Sequence, residues 1–422
     1  MKSFPVMLLC ACSQFIFHTA ASQDMAYVKK IVDDLCSVKF AGRGYVDNGV
    51  NKAADYLEQE FKSIGLKKFD NSYVQSYSFP VNTFPYPIHC SVDKKEMKVG
   101  ADFIVDAGST HLSGHYKLLH YNFKDSADKD LLLIKIKQGF QSSEALVMRF
   151  ANSRTMAVWD TCTKYKHFPS FIIYTEEKKL THTINTELDA YSSLVFMDSM
   201  IQHKEYIDIQ MTNEYIPKFT CKNLIGYIKG KRTDSFQVFS AHYDHLGKQG
   251  NDAMFPGASD NASGTSMILY LAKYFEKHKP AYNTVFILFS GEEAGLLGSE
   301  YFTSYPTFDI QKIKMLINID IMGNAENGIT VVNGDVYKSQ FNLLTTINAK
   351  QKYLPAIQSR GKAHNSDHYY FSEKGIPAIF LYSMGGQGYY HDIYDKADAL
   401  KWTNYEGVAH LLIDFVGKQE RL

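Results

Sequence analysis

Ala54, Leu57, Phe61 and Ile64 recur at spacings of three and four, which sets them on one face of a helix. Residues 25–66 read as helical, with Gly65 closing the last turn as a C-terminal glycine does. Over 73–92 the proline-flanked aromatic pairs Phe79-Pro80, Phe84-Pro85 and Tyr86-Pro87 suit strands and an irregular connection. From about 99 to 200 the texture changes to short β-like runs, at Tyr116–Tyr121, Leu131–Ile136, Phe171–Tyr174 and Leu194–Met197, separated by Gly, Ser and polar turns. This reads as a smaller β-rich domain inserted into a larger one, against the alternative of long surface loops on a single domain. From 222 onward strand-like runs alternate with helix-like ones. The strands are Phe236–Ala241, Val285–Phe289, Met315–Ile319 and Ala378–Tyr382, and the clearest helices are Ala262–Phe275 and Tyr405–Val416. Such alternation predicts an α/β fold, a mixed and mostly parallel central sheet with helices on both faces. The expected division is 1–22 as a leader, 23–98 as the first part of the main domain, 99–200 as the insert, and 201–422 as the rest of the main domain.

Composition narrows the function. The 422 residues carry 45 Lys plus Arg against 45 Asp plus Glu, a formal net charge of zero, which argues against a protein built to bind nucleic acid or an anionic membrane surface. With 45% hydrophobic and 21% charged residues the chain can fill a core. It has no run of about 18 apolar residues, so no membrane-spanning helix is expected. Lys2, the apolar stretch Phe4 to Phe17 and the small residues Thr19-Ala20-Ala21-Ser22 read as an export leader cleaved after Ala21 or Ser22, which places the protein in the periplasm or outside the cell. Beyond Cys10 and Cys12, the cysteines are Cys36, Cys90, Cys162 and Cys221, with no Cys-x-x-Cys pair; they can form one or two disulfides or remain buried thiols. No Gly-x-Gly-x-x-Gly or phosphate loop follows a strand.

The chemistry gathers just after the strand-like runs, where open α/β sheets bind ligands. His242 and Asp244 end one run, Glu292 and Glu293 follow the next, Asp320 follows a third, and His391 comes after the fourth past a Gly-rich loop. Asp260 stands at the start of a helix. Singly, each has an ordinary explanation: Asp260 as a helix cap, Asp320 as a turn residue, Glu292-Glu293 as a solvated pair, His391 as a surface histidine. Together they are five coincidences at one rim of one sheet. Two zinc ions held about 3.5–4 Å apart need His nitrogens, carboxylate oxygens and one bridging carboxylate. His242, His391, Asp260, Glu293 and Asp320 supply that count. Asp244, two residues from His242, is placed by strand alternation to fix that imidazole's tautomer. Glu292 is left free as general base on the activated water.

The segments His242-Tyr243-Asp244-His245-Leu246-Gly247, Gly257 to Gly264, Ser290-Gly291-Glu292-Glu293, Asn318-Ile319-Asp320 and Tyr390-His391-Asp392 resemble one family. It is the di-zinc metallopeptidase family of bacterial leucyl aminopeptidases, glutamate carboxypeptidases and glutaminyl cyclases, metallopeptidase family twenty-eight. Ser366-Asp367-His368 resembles a family segment lining the site, and Ala41-Gly42-Arg43 through Leu66 resembles the family's N-terminal helical region. The insert resembles the protease-associated domain of relatives in position and β character. The resemblance implies that His242 and Asp320 hold one zinc, His391 and Glu293 the other, that Asp260 bridges, and that Glu292 is base and then acid. It leaves His245 and His368 without a metal role, and offers His364, Asp367 and Tyr390 as substrate-binding residues.

Three functions are weighed. An aminopeptidase acting on peptides uses both zincs; a glutaminyl cyclase uses one; a binding module that has lost its metals uses none. Within the peptidases, a carboxypeptidase needs an arginine for the terminal carboxylate. Between His242 and His391 the chain has one, Arg360. Acids are plentiful there, so cleavage from the N-terminus is expected. The residues leave side-chain preference, oligomeric state and the carboxypeptidase alternative open.

Overall fold

The computed structural model describes residues 14–122, 126–149 and 169–419. The expected leader at 1–22 lies partly outside them, as does Cys162. Among the described residues Cys36, Cys90 and Cys221 are free thiols, and no helix is long and apolar enough to cross a membrane.

Alternation in the second half of the chain produces an eight-stranded mixed sheet. In chain order its strands are β1 (Val74–Thr83), β2 (Glu214–Ile228), β3 (Arg232–His242), β4 (Tyr282–Phe289), β5 (Ile313–Asp320), β6 (Ile329–Val332), β7 (Ile357–Arg360) and β8 (Ala378–Ser383). Across the sheet they run β1-β2-β4-β3-β5-β8-β6-β7. The four central strands β4, β3, β5 and β8 are mutually parallel, so their C-terminal ends share one rim. Register brings His242 opposite Phe289 and Asp320 opposite Tyr382 at that rim.

These central strands read as continuous apolar runs because both faces are covered. Phe239, Ala241, Phe286, Leu288, Ile317 and Ile319 face a core shared with the helices Gly49–Ile64, Gly264–Lys277 and Tyr405–Gln419. The alternate residues Val238, Val285, Ile287 and Leu316 face a second core with Phe302 and Phe371, from the helices Leu297–Ser304 and His368–Glu373.

A second eight-stranded sheet is built between His89 and Met211. It is wider than the 99–200 expected, because His89–Val92 pairs antiparallel with Tyr206–Met211. Two sequence expectations fail locally. Leu131–Ile136 is not a strand but part of the helix Ser126–Gln138: Leu132 and Ile136, four apart, bury against Leu146, Met148 and Ile172, while Leu131 and Ile134 stay exposed. The stretch 25–66 is not one helix either. Gln14–Leu35 and Gly49–Ile64 are separated by tight turns in which Ala41, Arg43, Asp47 and Asn48 have positive φ. The turn is held by Arg43, fully buried, whose guanidinium donates to the carbonyls of Leu35, Tyr243, Pro256 and Gly257.

Candidate metal centre

His242 is the last residue of β3 and is buried. Its Nε2 lies 3.2 Å from Asp260 Oδ1 and 3.3 Å from Asp320 Oδ2 and makes no hydrogen bond with either. Asp320 is the last residue of β5, and its Oδ1 is also buried without a partner. On the other side of Asp260, Oδ2 lies 3.1 Å from His391 Nε2, which is in turn 3.1 Å from Glu293 Oε2. One carboxylate therefore presents an oxygen to each of two imidazoles, and each imidazole faces a further carboxylate.

Asp260 does not sit on a strand; a turn over Ala258–Ser263 carries it in front of the helix Gly264–Lys277. The Asp260–Asn261 peptide is cis. The Asp395 carboxylate fixes this turn by accepting from the backbone N–H groups of Ser259, at 2.8 Å, and Asp260, at 3.0 Å. Asn261 ties it to the sheet, its Nδ2 donating to the Ile319 carbonyl and its Oδ1 accepting from Gly264 N–H. Gly257 enters the turn at φ +59°, and a Cβ there would meet the Asp260 carbonyl oxygen at 2.3 Å and His245 Cδ2 at 2.4 Å. Only glycine meets both demands.

Sequence alternation misplaced the role of Asp244. β3 ends at His242, so its two-residue period does not reach Asp244. The carboxylate is 3.8 Å from His242 Nδ1, too far for a hydrogen bond, and that N–H donates instead to the Asp244 backbone carbonyl at 3.2 Å. The Asp244 carboxylate accepts from the backbone N–H groups of Glu292, at 3.3 Å, and Glu293, at 3.4 Å, so it orients the acidic pair rather than the histidine.

Two further residues are drawn in that the sequence did not assign. His245 is fully buried and its Nδ1 is 2.7 Å from Glu293 Oε1, which leaves Oε2 to face His391. Asp395 supports Asp260 from 135 positions away. The other expected residues divide. Tyr390 stacks on the His391 ring, centroids 3.9 Å apart, and is 42% exposed. Asp367 is fully buried, near enough to the centre to raise Glu292's affinity for protons. His364 is exposed, and its ring neighbours are Tyr369 at 3.7 Å and Tyr370 at 6.0 Å, not a candidate ligand. Arg360 is exposed on the outermost strand β7.

The carboxylates and imidazoles perturb one another strongly. Burial works against the His391 imidazolium, but the Glu293 and Asp260 carboxylates outweigh it and lift the group to about 11. Burial pushes Glu293 up, yet His391 and His245 hold it at about 2. Burial lifts Asp320 to about 6, with His242 opposing and Asp260 assisting. Burial, together with Glu293, Asp367 and Asp320, pushes Glu292 well above the usual carboxylate range against the pull of His242. Four acids crowding two imidazoles, with the Nε2 of His242 unpartnered, is a costly arrangement unless positive charge binds between them. A mixed set of imidazole nitrogen and carboxylate oxygen suits a divalent transition metal such as zinc. His242, Asp260 and Asp320 form one convergent group, and His245, Asp260 and Glu293 form the other, with His391 Nε2 3.1 Å from Asp260 Oδ2 and from Glu293 Oε2.

Residues 223–416 match the sequence profile of Peptidase family M28. A probable zinc metalloprotease of Pyrenophora tritici-repentis is 35% identical over 112 residues, 25% of this chain and 26% of that protein. A probable leucine aminopeptidase of Arthroderma otae is 28% identical over 221 residues, 48% of this chain and 59% of that protein. The chain thus spans between about a quarter and three fifths of the length of these curated relatives. The crystal structure of a peptidase M28 precursor from Shewanella amazonensis covers 96% of both chains with a TM-score of 0.71 at 15% identity, which shows a shared fold. Every strand end, turn and loop that carries a candidate ligand falls within 223–416, the residues that match the Peptidase family M28 profile.

Proposed function

We propose that the protein is a di-zinc aminopeptidase that releases N-terminal residues from peptides. The observation that carries this reading is Asp260, whose two oxygens lie 3.2 and 3.1 Å from the Nε2 atoms of His242 and His391. One zinc would be held by His242, Asp260 and Asp320, the other by His391, Asp260 and Glu293. Bound zinc supplies Lewis acidity to water and to a substrate carbonyl.

The chain's own residues do the rest. Glu292 takes the proton of the attacking water and returns it to the leaving amine. Asp244 holds the Glu292-Glu293 backbone, so base and ligand keep fixed places relative to each other. The part-exposed ring of Tyr390 stacks on His391, where it can contact a peptide.

Cleavage from the N-terminus is favoured over the carboxypeptidase alternative by the arginines. Arg360 is exposed on an outer strand, and Arg43, which touches both ligand loops, spends its donors on four backbone carbonyls. The acids of the site can hold a free ammonium instead. Export through the leader at 1–22 belongs to the same proposal.

The test is a hydrolysis panel of free, N-acetylated, C-amidated and Gln-initiated peptides. Free and amidated peptides should lose N-terminal residues, and acetylated ones should resist. Cutting of acetylated peptides from the C-terminal end would make the protein a carboxypeptidase. Ammonia release from Gln-initiated peptides without hydrolysis would make it a glutaminyl cyclase.

A further inference from the structure

The inserted module also contacts the site. The loop between its strands Phe171–Glu176 and Ser192–Met197 crosses to the segment that carries His391. His391 Nδ1–H donates to the His182 carbonyl at 3.1 Å, and His182 N–H donates to the His391 carbonyl at 2.9 Å. Three residues earlier, the Lys179 ammonium donates to the carbonyls of Gly388, at 3.1 Å, and Tyr390, at 3.0 Å, and lies 3.9 Å from the Asp392 carboxylate.

The loop is itself fixed at both sides. The His182 ring is buried and stacks on Phe255, 4.7 Å between centroids. Gln249 of the main domain donates to His182 Nδ1 and accepts from Val105 N–H of the inserted sheet. Asn82 N–H donates to the Asn185 carbonyl at 3.0 Å.

The two halves of the centre therefore differ. His242, Asp260 and Asp320 lie in the peptidase domain, and the outer nitrogen of His242 is held there too, by Asp244. The outer nitrogen of His391 is held by the insert, and the His391 backbone, at φ +56°, is in a conformation that an L-residue keeps only under restraint. A hydrogen bond to the second nitrogen fixes the tautomer and aim of a ligating imidazole, and losing such a partner weakens metal binding.

Resting on the paired-site reading, we infer that the inserted module is part of the second metal site. Lys179 and the His182 backbone are positioning groups that set the affinity at His391 and Glu293 and leave the His242 site alone.

The experiment is a zinc titration of the chelator-stripped full chain against a chromophoric chelator, for wild type, Lys179→Met, His182→Pro and the double variant. Circular dichroism and melting of the metal-free protein serve as the fold control. Wild type should bind two zincs. In the double variant one site should lose affinity by about 10–100-fold while the other is unchanged. If His182→Pro does not fold, Lys179→Met alone must show the selective loss. An unchanged second site, or equal weakening of both, would overturn the inference. A wild type that binds fewer than two zincs would instead overturn the paired-site reading, before any variant is considered.

Discussion

Asp260 concentrates the account at the scale of one residue. Both candidate metal positions share its carboxylate, so Asp260→Asn should lower zinc content at both and abolish turnover; full zinc content in that variant would contradict the bridge. The neighbours Glu292 and Glu293 should separate cleanly. Glu292→Gln should keep its metal and lose turnover by about 10²–10⁴-fold, as removal of a general base does. Glu293→Gln should lose zinc first, since that carboxylate faces His391. His368 gives a test of pH dependence away from the metal ligands. It is fully buried with neither ring nitrogen hydrogen-bonded, and burial pulls its pKa down to about 4. Above about pH 6.5 it is neutral in both folded and unfolded chains and costs nothing. As the pH falls from there towards 4 the unfolded chain takes up the proton, and stability drops by up to about 3 kcal/mol. Melting temperatures of His368→Phe should therefore fall less steeply between pH 7 and 4 than those of wild type; parallel profiles would refute this. Ligand types at strand ends were legible in the sequence because strand ends are local. Asp395 and His245 were not. Their roles consist of hydrogen bonds to Asp260 and Glu293, 135 and 48 positions away, and such distances leave no local mark.

Among the elements, the buried strands of the main sheet were read with little loss, because an all-apolar run admits one reading once helices cover both faces. Ile317 at the centre of β5 is fully buried, and Ile317→Ala should cost about 2–5 kcal/mol in denaturant unfolding without changing the metal ratio. The helix Ser126–Gln138 was misread for the opposite reason. Its run Leu-Leu-Leu-Ile-Lys-Ile is apolar on its exposed side too, which erases the period that tells helix from strand. The turns between Leu35 and Gly49 exist because Arg43 reaches back to four carbonyls. Arg43→Met would leave those buried acceptors unpaired, and unfolding should show a loss of about 3 kcal/mol or more, together with weaker metal retention from the loosened Gly257 turn. A variant as stable as wild type would show that water or neighbouring groups replace the guanidinium.

Among the described residues two eight-stranded sheets meet around the centre. The change of texture near residue 99 falls within the second sheet, but that sheet's contact with the site left no sign in the sequence, because His182 and His391 are 209 positions apart. What the account claims most centrally is two metal positions flanking Asp260. The direct measurement is anomalous diffraction at the zinc edge from crystals of the full chain grown with zinc. The account predicts two peaks about 3.5–4 Å apart, one among His242, Asp260 and Asp320 and the other among His391, Asp260 and Glu293. A single peak, or a second one centred on His245 in place of His391, would contradict it.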